Sequence, residues 1–157
     1  MTYILDANFF IEANRFHLPI EQHPAFWSWL ANLAVNHTIS IPHAVYEELM
    51  VGKDAISAWL APLKADLVND TAAVTQISRV MAEGYGAIDE VTLEKLRADP
   101  WVIAQALAQG RTVVTSEKPG RHTAPHNKKI SSVCQSLHVP CQTITAFLWD
   151  VRTQLPV

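Results

Sequence analysis

The chain has 157 residues, 49% of them hydrophobic and 17% charged, with a formal net charge of −3. That is the size of one domain with a substantial core, spanning residues 1–157, and it is too acidic to coat nucleic acid by bulk charge. No apolar run approaches the roughly 18 residues of a membrane span, and the first strand begins too early to leave room for a signal peptide, so a cytoplasmic protein with no membrane contact is expected.

Tyr3-Ile4-Leu5 reads as a short buried strand, too uniformly apolar to alternate. Asn14 to His23 has little periodicity and predicts a loop. Pro24 then suits the first turn of a helix, with Phe26, Trp27, Leu30, Leu33 and Ala34 at helical spacing. Thr38 to Ile41 is a second strand, and Pro42 starts the helix that carries Glu47 and Glu48. Asp54 can cap another helix, and Asp70-Thr71 one that runs through Val74, Ile77, Val80 and Met81 to Gly84 and Gly86. A helix over Ile88 to Leu96 precedes the clearest one in the chain. There Asp99 fits the N-cap, Pro100 the first turn and Gly110 the C-terminal stop. Thr112 to Thr115 is a β-branched strand. Ile130, Val133, Cys134 and Leu137 mark a short helix, Gln142 to Ile144 the last strand, and Ala146 to Arg152 the last helix. Strands alternating with helices imply a parallel sheet covered on both faces. Cys134 and Cys141 show no zinc-ligand spacing and are expected as free thiols. The histidines show no paired helical spacing and are read as surface residues, while Trp59, Trp101 and Trp149 are read as core. Trp27 or Trp29 is the candidate to stack a base.

Four acids stand where an open α/β sheet places its ligands, beyond the carboxyl ends of the strands. Asp6 ends the first strand and Glu117 follows Thr112 to Thr115. Asp99 opens its helix. Glu48 is separated from its neighbour by helical phase: at about 100° per residue from Val45, Glu48 falls some 60° from the core direction and Glu47 almost opposite. Two unit charges 4 Å apart repel by about 4 kcal/mol at an effective dielectric of 20, so clustered carboxylates call for a cation. All-oxygen ligands suit Mg²⁺ or Mn²⁺. Directly after Glu117, the stretch from Lys118 to Lys129 holds Lys118, Arg121, Lys128 and Lys129 and no acid, a basic strip able to hold phosphates.

Taken together, these blocks resemble the PIN-domain ribonucleases, particularly the small VapC-like toxins of toxin–antitoxin pairs. Tyr3 to Asn8 is similar to that family's opening strand with its first metal-binding Asp. Ile41 to Leu49 resembles the helix with the second acid, Ala98 to Ala106 the third block, and Val113 to Glu117 the fourth. The order agrees across nearly the whole chain. Two features depart from the pattern: Glu117 stands where Asp is usual, and the phenylalanine that commonly comes next is replaced by the basic loop.

The resemblance implies a three-layer α/β/α PIN-like domain with a central parallel sheet, hydrolysing RNA with Mg²⁺ or Mn²⁺. Asp6, Glu48, Asp99 and Glu117 are then the catalytic, metal-holding acids. Asn8 fixes Asp6 and Thr115 supports it, while Arg15 and the four basic loop residues grip RNA. The implied partners are an RNA substrate, a cognate antitoxin and a second copy of the chain as a homodimer. The alternatives are a PIN-like module that binds RNA or protein without cutting, and a phosphoryl-accepting receiver, which Thr115 and Lys118 suggest but whose paired first-strand acids the chain lacks.

Overall fold

The computed structural model describes residues 1–69, 71–117, 120 and 124–156, Thr71 through its backbone alone. Strands β1 (Tyr3–Leu5), β2 (Ile39–Ser40), β3 (Thr112–Val114) and β4 (Cys141–Gln142) pair in the order β2-β1-β3-β4, each pair parallel. Tyr3 sits opposite both Ile39 and Thr112, and Val114 opposite both Leu5 and Gln142. Tyr3, Ile4 and Leu5 are all buried. Successive strand side chains point to opposite faces, so both faces of β1 are covered. Parallel crossovers are almost always right-handed. The β1-to-β2 connection therefore covers one face, and the connections from β2 to β3 and β3 to β4 cover the other. The winding reverses between β1 and β3, which opens a crevice beyond the carboxyl ends of those two strands. The architecture is the expected α/β/α arrangement with a parallel sheet.

Helix α1 (Ala7–Glu12) starts directly after Asp6 and continues as a π-helical turn over Ala13–His17. The irregular stretch expected from Asn14 thus begins only after His17. Phe9, Phe10 and Ala13 are fully or almost fully buried, and packing of that face stabilises a segment whose own helical signal is weak. The Asn14 side-chain oxygen accepts the Ile20 N–H at 2.9 Å, closing the turn toward α2 (Pro24–Val35). After β2 come α3 (His43–Met50), α4 (Ala55–Leu60) and α5 (Lys64–Leu67), with Asp54 capping α4 through the Ser57 N–H at 3.1 Å. The cap expected at Asp70 lies outside the described residues.

The segment from Thr71 to Tyr85 is broken rather than one helix. It comprises a 3₁₀ turn over Thr71–Thr75, α6 (Ile77–Arg79) and a π-helical segment Val80–Tyr85, ended by Gly86 at φ +83°. Helix α7 (Glu90–Leu96) is capped by Asp89, which accepts the Thr92 N–H at 2.8 Å, so Ile88 is left exposed ahead of it. Helix α8 (Asp99–Gln109) stops at Gly110, φ +64°. Helices α9 (Ile130–Ser136) and α10 (Ile144–Asp150) complete the set, and Thr143 leaves β4 to cap α10.

Phe147 on α10 meets Tyr3 and Phe9 edge-to-face at 4.9 and 5.5 Å, so α1 and α10 share one face of the sheet. Helix α8 lies across β1 and β3 with α9 beside it. Trp27 is 1% exposed, donates its indole N–H to the Leu18 carbonyl at 2.7 Å and packs on Trp59, which makes it core and unable to stack a base. Trp149, expected in the core, is 65% exposed with the Arg152 guanidinium 4.0 Å from its ring centre. It stands two residues from Phe147, about 200° around the helix, so burying one exposes the other. Among the described residues, no helix is long and apolar enough to cross a membrane.

Candidate active site

Asp6 leaves β1 at the crevice, its N–H bonded to the Val114 carbonyl at 3.0 Å. It is 3% exposed. The Thr115 hydroxyl, also buried, donates to Asp6 Oδ2 at 2.8 Å and accepts the Glu117 N–H at 3.2 Å. One hydroxyl thus ties the acid after β1 to the acid after β3. The bond from Asn8 to Asp6 that the sequence suggests is not among the hydrogen bonds of the described residues. Asn8 is half-buried in the first turn of α1, and Thr115 holds the carboxylate instead.

The other acids arrive on helices. Glu48 is half-buried and its Oε1 accepts the Ala98 N–H at 3.2 Å, which joins α3 to the start of α8. Glu47 is exposed, 2.9 Å from His43 Nε2. The helical phase read from the sequence separates the two correctly. Asp99 is not the N-cap: Ala98 takes that position, and Asp99 is the first helical residue, so its carboxylate makes no capping bond. The Glu48 carboxylate satisfies the Ala98 N–H, one of the free donors at the start of that helix. Glu117 performs a similar service at α9, accepting the Ile130 N–H on Oε2 at 3.2 Å.

Burial pushes the Asp6 carboxyl up to about 6. Glu117 and Glu48 add to the rise, and the Thr115 hydrogen bond opposes it. Burial also pushes Asp99 up, to about 8, with Asp6, Glu117 and Glu48 contributing in that order and Lys129 opposing. These mutual effects place the four acids in one electrostatic cluster. Glu48, Asp99 and Glu117 line a cleft of about 340 Å³, with Lys95, Arg97, His126, Asn127, Lys128 and Lys129 around it. Asp6 is buried next to this cleft rather than on its wall.

Of the expected phosphate-gripping residues, Lys128 and Lys129 line the cleft, and Lys128 Nζ also donates to the Gly84 carbonyl at 3.4 Å. Lys118 and Arg121 lie outside the described residues. Arg15 is exposed beside the Phe16 ring. It is nine residues along the helix from Asp6, roughly 13 Å at 1.5 Å per residue, and does not line the cleft. Lys95 and Arg97 were not visible as site residues in the sequence. They flank the corner before Asp99, where Arg97 turns the chain at φ +56°. A cation pair beside a candidate acid was the signal available.

The donor set is all carboxylate oxygen, which fits a hard divalent cation. Among the described residues, however, no group of three or more His, Cys, Asp or Glu side chains is arranged to hold a metal ion. The fit is therefore one of chemistry and convergence.

Thr115→Val leaves the buried Asp6 carboxylate without its donor. It is expected to cost about 1–3 kcal/mol of stability in urea unfolding, the scale for an unsatisfied buried acceptor. Thr115→Ser should recover most of the loss. Equal stability of the valine variant and the wild type would remove Thr115 from this role.

Fold and cleft together define an α/β/α protein with acids gathered at the switch point of its parallel sheet. The chain belongs to the family described as a domain of unknown function, DUF4411, whose profile matches residues 3–155. No curated protein matches the sequence. Among solved structures the chain is similar to one in the crystal structure of VapBC2 from Rickettsia felis bound to a DNA fragment from their promoter. The two are 21% identical, the match covers 91% of this chain and 98% of that one, and the TM-score is 0.52. A likeness extending over nearly all of both chains bears out the expected fold.

Proposed function

We propose that this chain is a divalent-cation-dependent endoribonuclease and the toxin of a toxin–antitoxin pair. The observation that carries the nuclease reading is the convergence of Asp6, Glu48, Asp99 and Glu117 from two strand ends and two helices beside a cation-rich cleft. In this reading the four carboxylates hold Mg²⁺ or Mn²⁺. The chemistry such a cation would supply there is a more acidic bound water and neutralisation of phosphate charge. Thr115 fixes Asp6, and through its contact with the Glu117 N–H it keeps the two strand-end acids in register. Lys95, Arg97, Lys128 and Lys129, which line the cleft, attract the phosphate backbone. The toxin reading and its antitoxin partner rest on the fold shared with a chain of the VapBC2 complex.

A second reading, a PIN-like module that binds RNA or protein without cutting, is favoured by a specific observation. Glu48 and Glu117 each already serve a helix start, at Ala98 and Ile130.

Incubation of the purified protein with end-labelled single-stranded RNA separates the two. Cleavage is expected with millimolar Mn²⁺, none in chelator, and none from Asp6→Asn. RNA left intact over hours in Mn²⁺, but retarded by the protein in a gel, selects the binding module.

A further inference from the structure

Tyr85 ends the π-helical segment Val80–Tyr85 and is 0% exposed, yet its hydroxyl has no hydrogen-bond partner among the described residues. An unpaired donor in the interior is a costly arrangement that calls for a physical explanation. The local construction holds it there. The neighbouring residue is Gly84, where a Cβ would lie 2.6 Å from Val133 Cγ1 and 3.0 Å from Leu137 Cδ1, so any larger residue would force the Val133 side chain of α9 to shift. Lys128, a cleft residue, donates to the Gly84 carbonyl at 3.4 Å. The widened π turn, a feature often found at functional sites, then delivers Tyr85 between α8 and α9. Three acids of the site act on it electrostatically, Asp99 most strongly and then Glu117 and Asp6, and the neutral Cys134 thiol of α9 is also close. Burial keeps the phenol protonated. It is therefore a donor with acceptors of the cleft as its neighbours.

We propose that Tyr85 is a positioning residue of the carboxylate cleft, whose hydroxyl donates to the Asp99 carboxylate in the cation-bound protein and orients it for ligation. A phenol donating to an ionised carboxylate makes a charge-assisted bond, stronger than a neutral one. The inference rests on the proposed cation site and adds a residue that none of the four acid-bearing blocks contains.

The test is Tyr85→Phe, with Mn²⁺ binding followed by calorimetry in the absence of RNA and melting followed in chelator. Two results are expected together. The apparent Kd for Mn²⁺ rises about 10- to 100-fold, as for other outer-shell partners of metal ligands. The melting temperature in chelator stays equal or rises, because an unpaired buried hydroxyl has been removed. Unchanged Mn²⁺ affinity overturns the role of Tyr85 and leaves the cation site standing. Weaker binding with a melting temperature several degrees lower assigns Tyr85 to packing alone, which also overturns it. Wild-type protein that takes up no Mn²⁺ at millimolar concentration overturns the cation site, and the role of Tyr85 with it.

Discussion

Glu48→Gln is expected to reduce RNA cleavage by about 100-fold or more, at the upper end of losses from a metal site's supporting groups, while Glu47→Gln leaves it within a few-fold. The two residues are adjacent, chemically alike and on the same helix, so the comparison controls for charge and for helix propensity. They differ in direction. Glu48 lines the cleft and bonds the Ala98 N–H next to Asp99, whereas Glu47 is exposed beside His43. Glutamine can still accept from Ala98, so α3 and α8 stay joined and the loss is expected in kcat with little change in melting temperature. Equal activity of the two variants would reject the assignment of Glu48 to the site. A large drop in the stability of Glu48→Gln would assign the residue to joining the helices.

Asp6→Asn should produce opposite changes in the two states of the protein. In chelator at pH 8 it is expected to melt roughly 5 °C above wild type, a shift corresponding to one or two kcal/mol in a chain of this size. The sign comes from proton linkage. Asp6 and Asp99 titrate at about 6 and about 8 in the folded chain, against an ordinary 3.8. Between those limits the folded protein binds more protons than the unfolded one, so stability is full below about pH 4 and is lost as pH rises toward 8. Asp99 is only half-buried, and solvent screening moderates its share. An amide at position 6 carries no charge and also relieves Asp99, whose largest charged neighbour is Asp6. The advantage should therefore vanish at pH 4. Adding Mn²⁺ reverses the order: wild type gains stability by mass action and Asp6→Asn does not. A variant that melts below wild type in chelator at pH 8 would show that the Asp6 charge is not a burden to the metal-free fold.

Much of this could be read from local chemistry. The apolar run Tyr3-Ile4-Leu5 declares a strand buried on both faces, because a partly solvated strand must alternate. Pro100 and Gly110 bound their helix because one fits only its first turn and the other readily takes the left-handed φ that ends it. Glu48 and Glu47 could be told apart since a helix fixes side-chain direction at 100° per residue whatever surrounds it. The order β2-β1-β3-β4 was not legible. The central pairing joins Tyr3 to Thr112, far apart in the chain, and that order is what makes a crevice between Asp6 and Glu117. The same holds for the helix after Asp6, which exists because Phe9 and Phe10 find a core. It holds again for Thr115, whose hydroxyl could have bonded locally and instead crosses 109 residues of sequence to reach Asp6. Lys95 and Arg97 line the cleft only because α7, α8 and α9 pack together there. Local pattern was enough to say which groups are chemically competent and which way the helical ones point. Which of them meet was left to the fold, because long-range packing brings the strand ends and helix starts to one edge of the sheet.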